Sequence, residues 1–96
     1  MLKLPQTLTQ SSATVCLLTL TELLPAEATA FVVDAAELRH FDSSALAVLL
    51  ALRREAFKLG KSFAIVSLPT RLGDLARLYG IAELLVSQAY EPRQSI

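Results

Sequence analysis

Cysteine is nearly absent. Cys16 stands alone in a chain of 96 residues, so no internal disulfide can form. A reducing compartment is the expectation that follows. Glycine is scarce and scattered: Gly60, Gly73 and Gly80 form no phosphate-cradling loop. One histidine and one cysteine cannot furnish a structural metal site, so no cofactor or metal is expected. No sign of charge dominates, because nine basic and nine acidic residues cancel to zero. Nothing in that balance suggests a nucleic-acid binder, which would need a concentrated basic face. The most apolar stretch, Ala13 to Leu24, carries Thr19, Thr21 and Glu22 and falls short of the ~20 residues that span a bilayer. Met1-Leu2-Lys3-Leu4-Pro5 lacks the pattern of a secretory leader. The expectation is a soluble protein that inserts into no membrane and reaches one only through a partner.

What the chain does have is aliphatic bulk. Hydrophobic residues make up 53% and aromatics 6%, so the core must be built from Leu, Ala and Val. High apolar content at zero net charge gives little self-repulsion, and such a surface is sticky unless a partner covers part of it.

Leu2-Lys3-Leu4 and Thr7-Leu8-Thr9 alternate weakly, and Pro5 limits them to one short or edge strand. Ser11 and Ser12 offer caps for a helix that runs to Leu24 and stops at Pro25. Ala30-Phe31-Val32-Val33-Asp34 reads as a buried, parallel strand. Asp42, Ser43 and Ser44 open the best helix, over about 43–59, with Gly60 at its left-handed stop. Ser62 to Ser67 is a further buried strand. Thr70 caps a helix through about Tyr79, Gly80 ends it, and 81–86 is a short apolar element. The order β-α-β-α-β-α predicts an α/β domain with a largely parallel sheet over residues 1–90. Residues 91–96 read as a flexible C-terminal tail.

The helix that opens at Asp42 has two faces. Leu46, Leu49, Leu50 and Phe57 supply an apolar stripe for the core. The opposite side runs Ser43, Ala47, Ala51, Arg54, Lys58. It is small and uncharged at first, then basic, which suits either close docking or an ordinary solvated face. Ser43 and Ser44 are either helix caps or part of a site at the positive end of the helix dipole. Arg53, Arg54, Lys58 and Lys61 suit an acidic partner, anionic headgroups or plain solvation. His40 reads as a solvated loop residue and Cys16 as a small buried hydrophobe. No base is placed beside Ser43, so hydrolytic catalysis is not expected.

Val32-Val33-Asp34, followed by Asp42-Ser43-Ser44-Ala45-Leu46, resembles the signature of the STAS domain family. That signature is a strand ending in Asp, then Asp-Ser/Thr-Ser/Gly-Gly-Leu. The run from Leu75 to Leu85, with its Leu-Ala-Arg-Leu-Tyr-Gly-Ile, resembles the family's last helix. Within the family it is most similar to the small cytoplasmic STAS subunit of a bacterial phospholipid ABC transporter. The resemblance spans Ala30 to Leu85. Ala45 stands where the family has Gly, and the family's two opening strands are reduced to one.

The resemblance implies a small mixed or parallel sheet with helices mainly on one side. It implies a non-catalytic subunit that binds and regulates the ATPase of such a transporter and so helps maintain outer-membrane lipid asymmetry. Its location would be cytoplasmic, peripheral at the inner membrane through the complex. Docking would use Ser43, Ser44, Ala47, Ala51 and Arg54, with Asp42 as cap. The alternative it implies is an anti-sigma-factor antagonist, phosphorylated on Ser43 by an anti-sigma-factor kinase.

Overall fold

The computed structural model describes residues 2–26 and 30–85. The expected tail at 91–96 lies outside the described residues. The chain opens with two short strands, β1 (Leu2–Lys3) and β2 (Thr7–Leu8), followed by helix α1 (Gln10–Leu23) and a 3-10 turn at Leu24–Ala26. Strands β3 (Ala30–Asp34) and β4 (His40–Phe41) precede helix α2 (Ser44–Lys58). Strand β5 (Ser62–Val66) and helices α3 (Thr70–Leu78) and α4 (Ala82–Leu85) complete the described chain.

All strand pairing is parallel. One sheet has the order β1-β3-β5, and β2 pairs with β4 in a second. The reduced opening strand is therefore two pieces serving two sheets. Pro5 lies between them, where it can offer no ladder donor. The chain turns there, and the Gln6 carbonyl accepts the Arg39 and His40 N–H groups at 2.8 and 2.9 Å. Strand β4 was not foreseen, because two residues are too few for alternation to show. His40 is exposed as expected, but it sits on this strand rather than in a loop.

The central strand alternates. Phe31 and Val33 are buried, while Ala30, Val32 and Asp34 are exposed or half-buried. In register beside it, Phe63 is buried and Ile65 half-buried. The Phe31 and Phe63 rings lie 6.0 Å apart at a tilt of 44°. The helices cover this one face, as expected for the family. Helix α2 packs on both α1 and β5, and Leu72 and Ala76 of α3 and Leu85 of α4 join the core. The buried residues among those described are all apolar, so the core takes up no whole polar or charged side chain.

The inner face of α2 differs from expectation. Its buried residues are Ala45, Leu46, Val48, Leu49, Leu52 and Ala56. Leu50 and Phe57, expected in the core stripe, are only half-buried at its rim. The contact with α1 explains the shift. A second helix widens the buried arc toward Ala45 and Val48. Ala45 has no exposed surface. Where the family carries Gly, this fold accommodates one methyl group.

Helix α1 begins two to three residues earlier than its serines suggest. Thr9 is the N-cap, and its N–H donates to Ser12 Oγ at 3.1 Å. In α3 the cap is Pro69, and Thr70 is already helical. Gly60 and Gly80, with φ of 72° and 73°, take the left-handed stops expected of them.

Candidate functional site

The site assembles at the junction between β4 and α2. Asp42 leaves the strand and places its carboxylate between two helix N-termini. Oδ1 accepts the Ser44 N–H of α2 at 2.8 Å, and Oδ2 accepts the Gln10 N–H of α1 at 3.1 Å. The free N–H groups of a first helical turn need acceptors, and here one side chain serves two helices. The backbone N–H of Ser44, then that of Gln10, holds the carboxyl below its ordinary value. Asp42 is thus the cap expected of it, and more.

Because Asp42 does the capping, Ser43 does not. Ser43 occupies the N-cap position with φ −63° and ψ −16°, already helical, and its side chain makes no cap hydrogen bond. It is exposed. Ser44 is half-buried, and its backbone N–H is held by the Asp42 carboxylate. The two serines therefore separate: one is tied into the junction and the other faces solvent.

From Ser43 a stripe runs along the outside of α2. Ala47 is exposed, Ala51 half-buried, Arg54 and Lys58 exposed. All five candidate docking residues fall on or beside this stripe. At its basic end Lys58 pairs with Glu55 at 3.1 Å, and the Arg53 guanidinium lies 4.6 Å from the Phe57 ring centre. Leu50, Phe57 and Leu84 form the apolar floor of a groove of about 480 Å³ there, walled by Arg53, Arg54 and Lys58. The half-burial of Leu50 and Phe57 has its explanation in this groove.

The structure adds residues that the sequence did not mark. Arg71 of α3 lies 5.5 Å from the ring centre of Phe41, the neighbour of Asp42. With Leu75 and Leu78 they border a second groove of about 410 Å³. Leu78 is 77% exposed. The sequence carries no signal for it, because a helix motif does not say which of its leucines faces out. Cys16 is half-buried rather than buried, and burial pushes its thiol up, away from the reactive thiolate.

Among the described residues, no group of three His, Cys, Asp or Glu could hold a metal ion. No described helix is long and apolar enough to cross a membrane. What the geometry offers is a surface: an exposed hydroxyl at a clasped helix start, then small side chains, then cations.

The family model described as "Mlab, STAS domain" matches residues 1–87. The chain belongs to the STAS domain family. The match begins at the first residue, so the two short strands before α1 fall within the family's domain. No curated protein matches the chain. A STAS domain has a regulatory or binding role.

Proposed function

We propose that this STAS domain is the non-catalytic subunit of a phospholipid-transporting ABC complex, docked on its ATPase through the outer face of α2. The observation that carries the reading is the division of labour at the junction. Asp42 satisfies the helix starts, which leaves the Ser43 hydroxyl exposed and uncommitted. Ala47 and Ala51 then keep the stripe low, so a partner backbone can approach. Arg54 and Lys58 offer cations at the far end. The family model's description and the Leu75–Leu85 run support the transporter in particular. On this reading the protein stays on the cytoplasmic side, peripheral at the inner membrane, and catalyses nothing itself.

The second reading is an anti-sigma-factor antagonist with Ser43 as its phosphorylation site. The same exposed hydroxyl favours it, because a phosphate on Ser43 would meet the positive end of the α2 dipole. Co-expression with the ATPase and permease of the candidate transporter separates the two. A stable complex with the ATPase, lost in Ser43→Glu, supports the transporter. No complex, together with stoichiometric phosphorylation of Ser43 by a cognate anti-sigma-factor kinase, supports the alternative and overturns the first.

A further inference from the structure

A helix cap takes a backbone of its own. Thr9, which caps α1, is extended, with φ −121° and ψ 179°. Ser43 stands at the start of α2 with φ −63° and ψ −16°, the backbone of a residue already inside the helix. The first turn of α2 reaches back past it. The Asp42 carbonyl accepts the Ala45 N–H at 3.0 Å, and Asp42 Oδ1 accepts the Ser44 N–H at 2.8 Å. Those are the bonds that a capping residue makes, so Asp42 holds the place that Ser43 would otherwise fill. Serine is one of the best residues for that place, and alanine is a poor one. Which residue caps α2 is therefore decided by the side chain at position 42.

We propose that Asp42 is a positioning residue for docking, and that its two carboxylate oxygens have separate tasks. Oδ1, on Ser44, keeps Ser43 inside the first helical turn with its side chain exposed. Oδ2, on Gln10, joins α1 to α2 and contributes stability alone. Without Oδ1 the cap passes one residue along the chain. Ser43 turns extended, and its hydroxyl bonds to the N–H of Ala45 or Leu46. The helix keeps a cap but loses the free hydroxyl at its start. Ala47, Ala51 and Arg54 stay on the same outer stripe, so docking loses the contact at its head. That consequence rests on the reading of Ser43 as a contact residue; the handover of the cap does not.

The test compares Asp42→Ala with Asp42→Asn in the whole chain. Asparagine caps as well as aspartate, so its amide oxygen keeps the Ser44 N–H, but its NH2 group cannot accept from Gln10. The carbon chemical shifts of Ser43 should be helical in the wild type and in Asp42→Asn, and extended in Asp42→Ala. Both variants should melt below the wild type. Adding Ser43→Ala to Asp42→Ala should lower the melting temperature by a further ~4–8 °C, because it removes the new cap. Ser43→Ala alone should shift the wild type little, since that hydroxyl makes no cap bond. Affinity for the ATPase should fall at least about tenfold in Asp42→Ala and stay near the wild-type value in Asp42→Asn. An extended Ser43 in the wild type overturns the proposal, as does a helical Ser43 in Asp42→Ala. Equal loss of affinity in the two variants overturns it as well, and makes Asp42 a structural residue only. A wild type that binds no ATPase overturns the transporter reading instead, and the shifts and melting still decide the cap.

Discussion

Asp42 and Gln10 lie 32 positions apart in the chain, yet the Asp42 carboxylate accepts the Gln10 N–H at 3.1 Å. With its other oxygen it accepts Ser44 N–H at 2.8 Å, so one carboxylate fixes the starts of α1 and α2 relative to each other. A motif residue expected to cap one helix is also a tertiary link.

That link titrates. The Asp42 carboxyl is depressed in the fold by its two backbone donors. Its stabilising contribution is therefore fully present above the ordinary value of about 3.9 and is lost as pH falls through the lower folded-state value. The wild type should lose melting temperature across that acid window. Asp42→Asn should melt lower at neutral pH and show a flatter decline in acid. Parallel melting-versus-pH curves for the two proteins would show that the two N–H contacts carry no charge-dependent stability.

Leu49→Ala should cost about 2–5 kcal/mol, because Leu49 has no exposed surface and its truncation leaves a cavity. Leu50→Ala should cost clearly less, since Leu50 sits at the rim of the groove with Phe57 and Leu84. Urea denaturation of the two variants checks the order. Equal losses would contradict the assigned faces of α2.

Ser43→Ala should be nearly neutral for stability, within about 0.5 kcal/mol, because the hydroxyl makes no cap bond. Ser43→Glu places a carboxylate in the first turn, where the dipole favours it by about 0.3–1 kcal/mol, so the isolated domain should keep its melting temperature. At a packed contact the same charge is desolvated, and affinity for the ATPase should fall about a hundredfold or more. Paired melting and co-purification measurements decide it. A Ser43→Glu protein that binds like the wild type would move the docking face elsewhere.

Gly60→Ala should destabilise by about 1–2 kcal/mol. Nothing lies within 4 Å of the added methyl group, but φ is 72°, where an L residue is strained. A chemical-denaturation midpoint that does not move would show that the α2 stop relaxes to another conformation.

Much of this was readable beforehand. The buried strand Phe31–Val33, the helix after Asp42 and the two glycine stops each rest on local chemistry that context did not overrule. The motif placed Asp42, Ser43 and Ser44 together without saying which serine is free, because that depends on where Gln10 arrives. Leu50 and Phe57 fall outside the buried stripe because periodicity gives an apolar arc but not its centre, which in the fold lies toward Ala45 and Val48. Strand β4 and the Arg71–Phe41 contact are long-range pairings with no local signature.

The strand order β1-β3-β5 also governs when the fold can form during synthesis. Strand β1 leaves the ribosome before its neighbour β3, which lies beyond all of α1. The middle strand in turn waits for β5, made after α2. A nascent chain ending before Ser62 has Phe31 with no Phe63 to meet and half of the central ladder unpaired. The helices can flicker into shape as they emerge, but the β3–β5 half of the sheet cannot close until Val66 is clear.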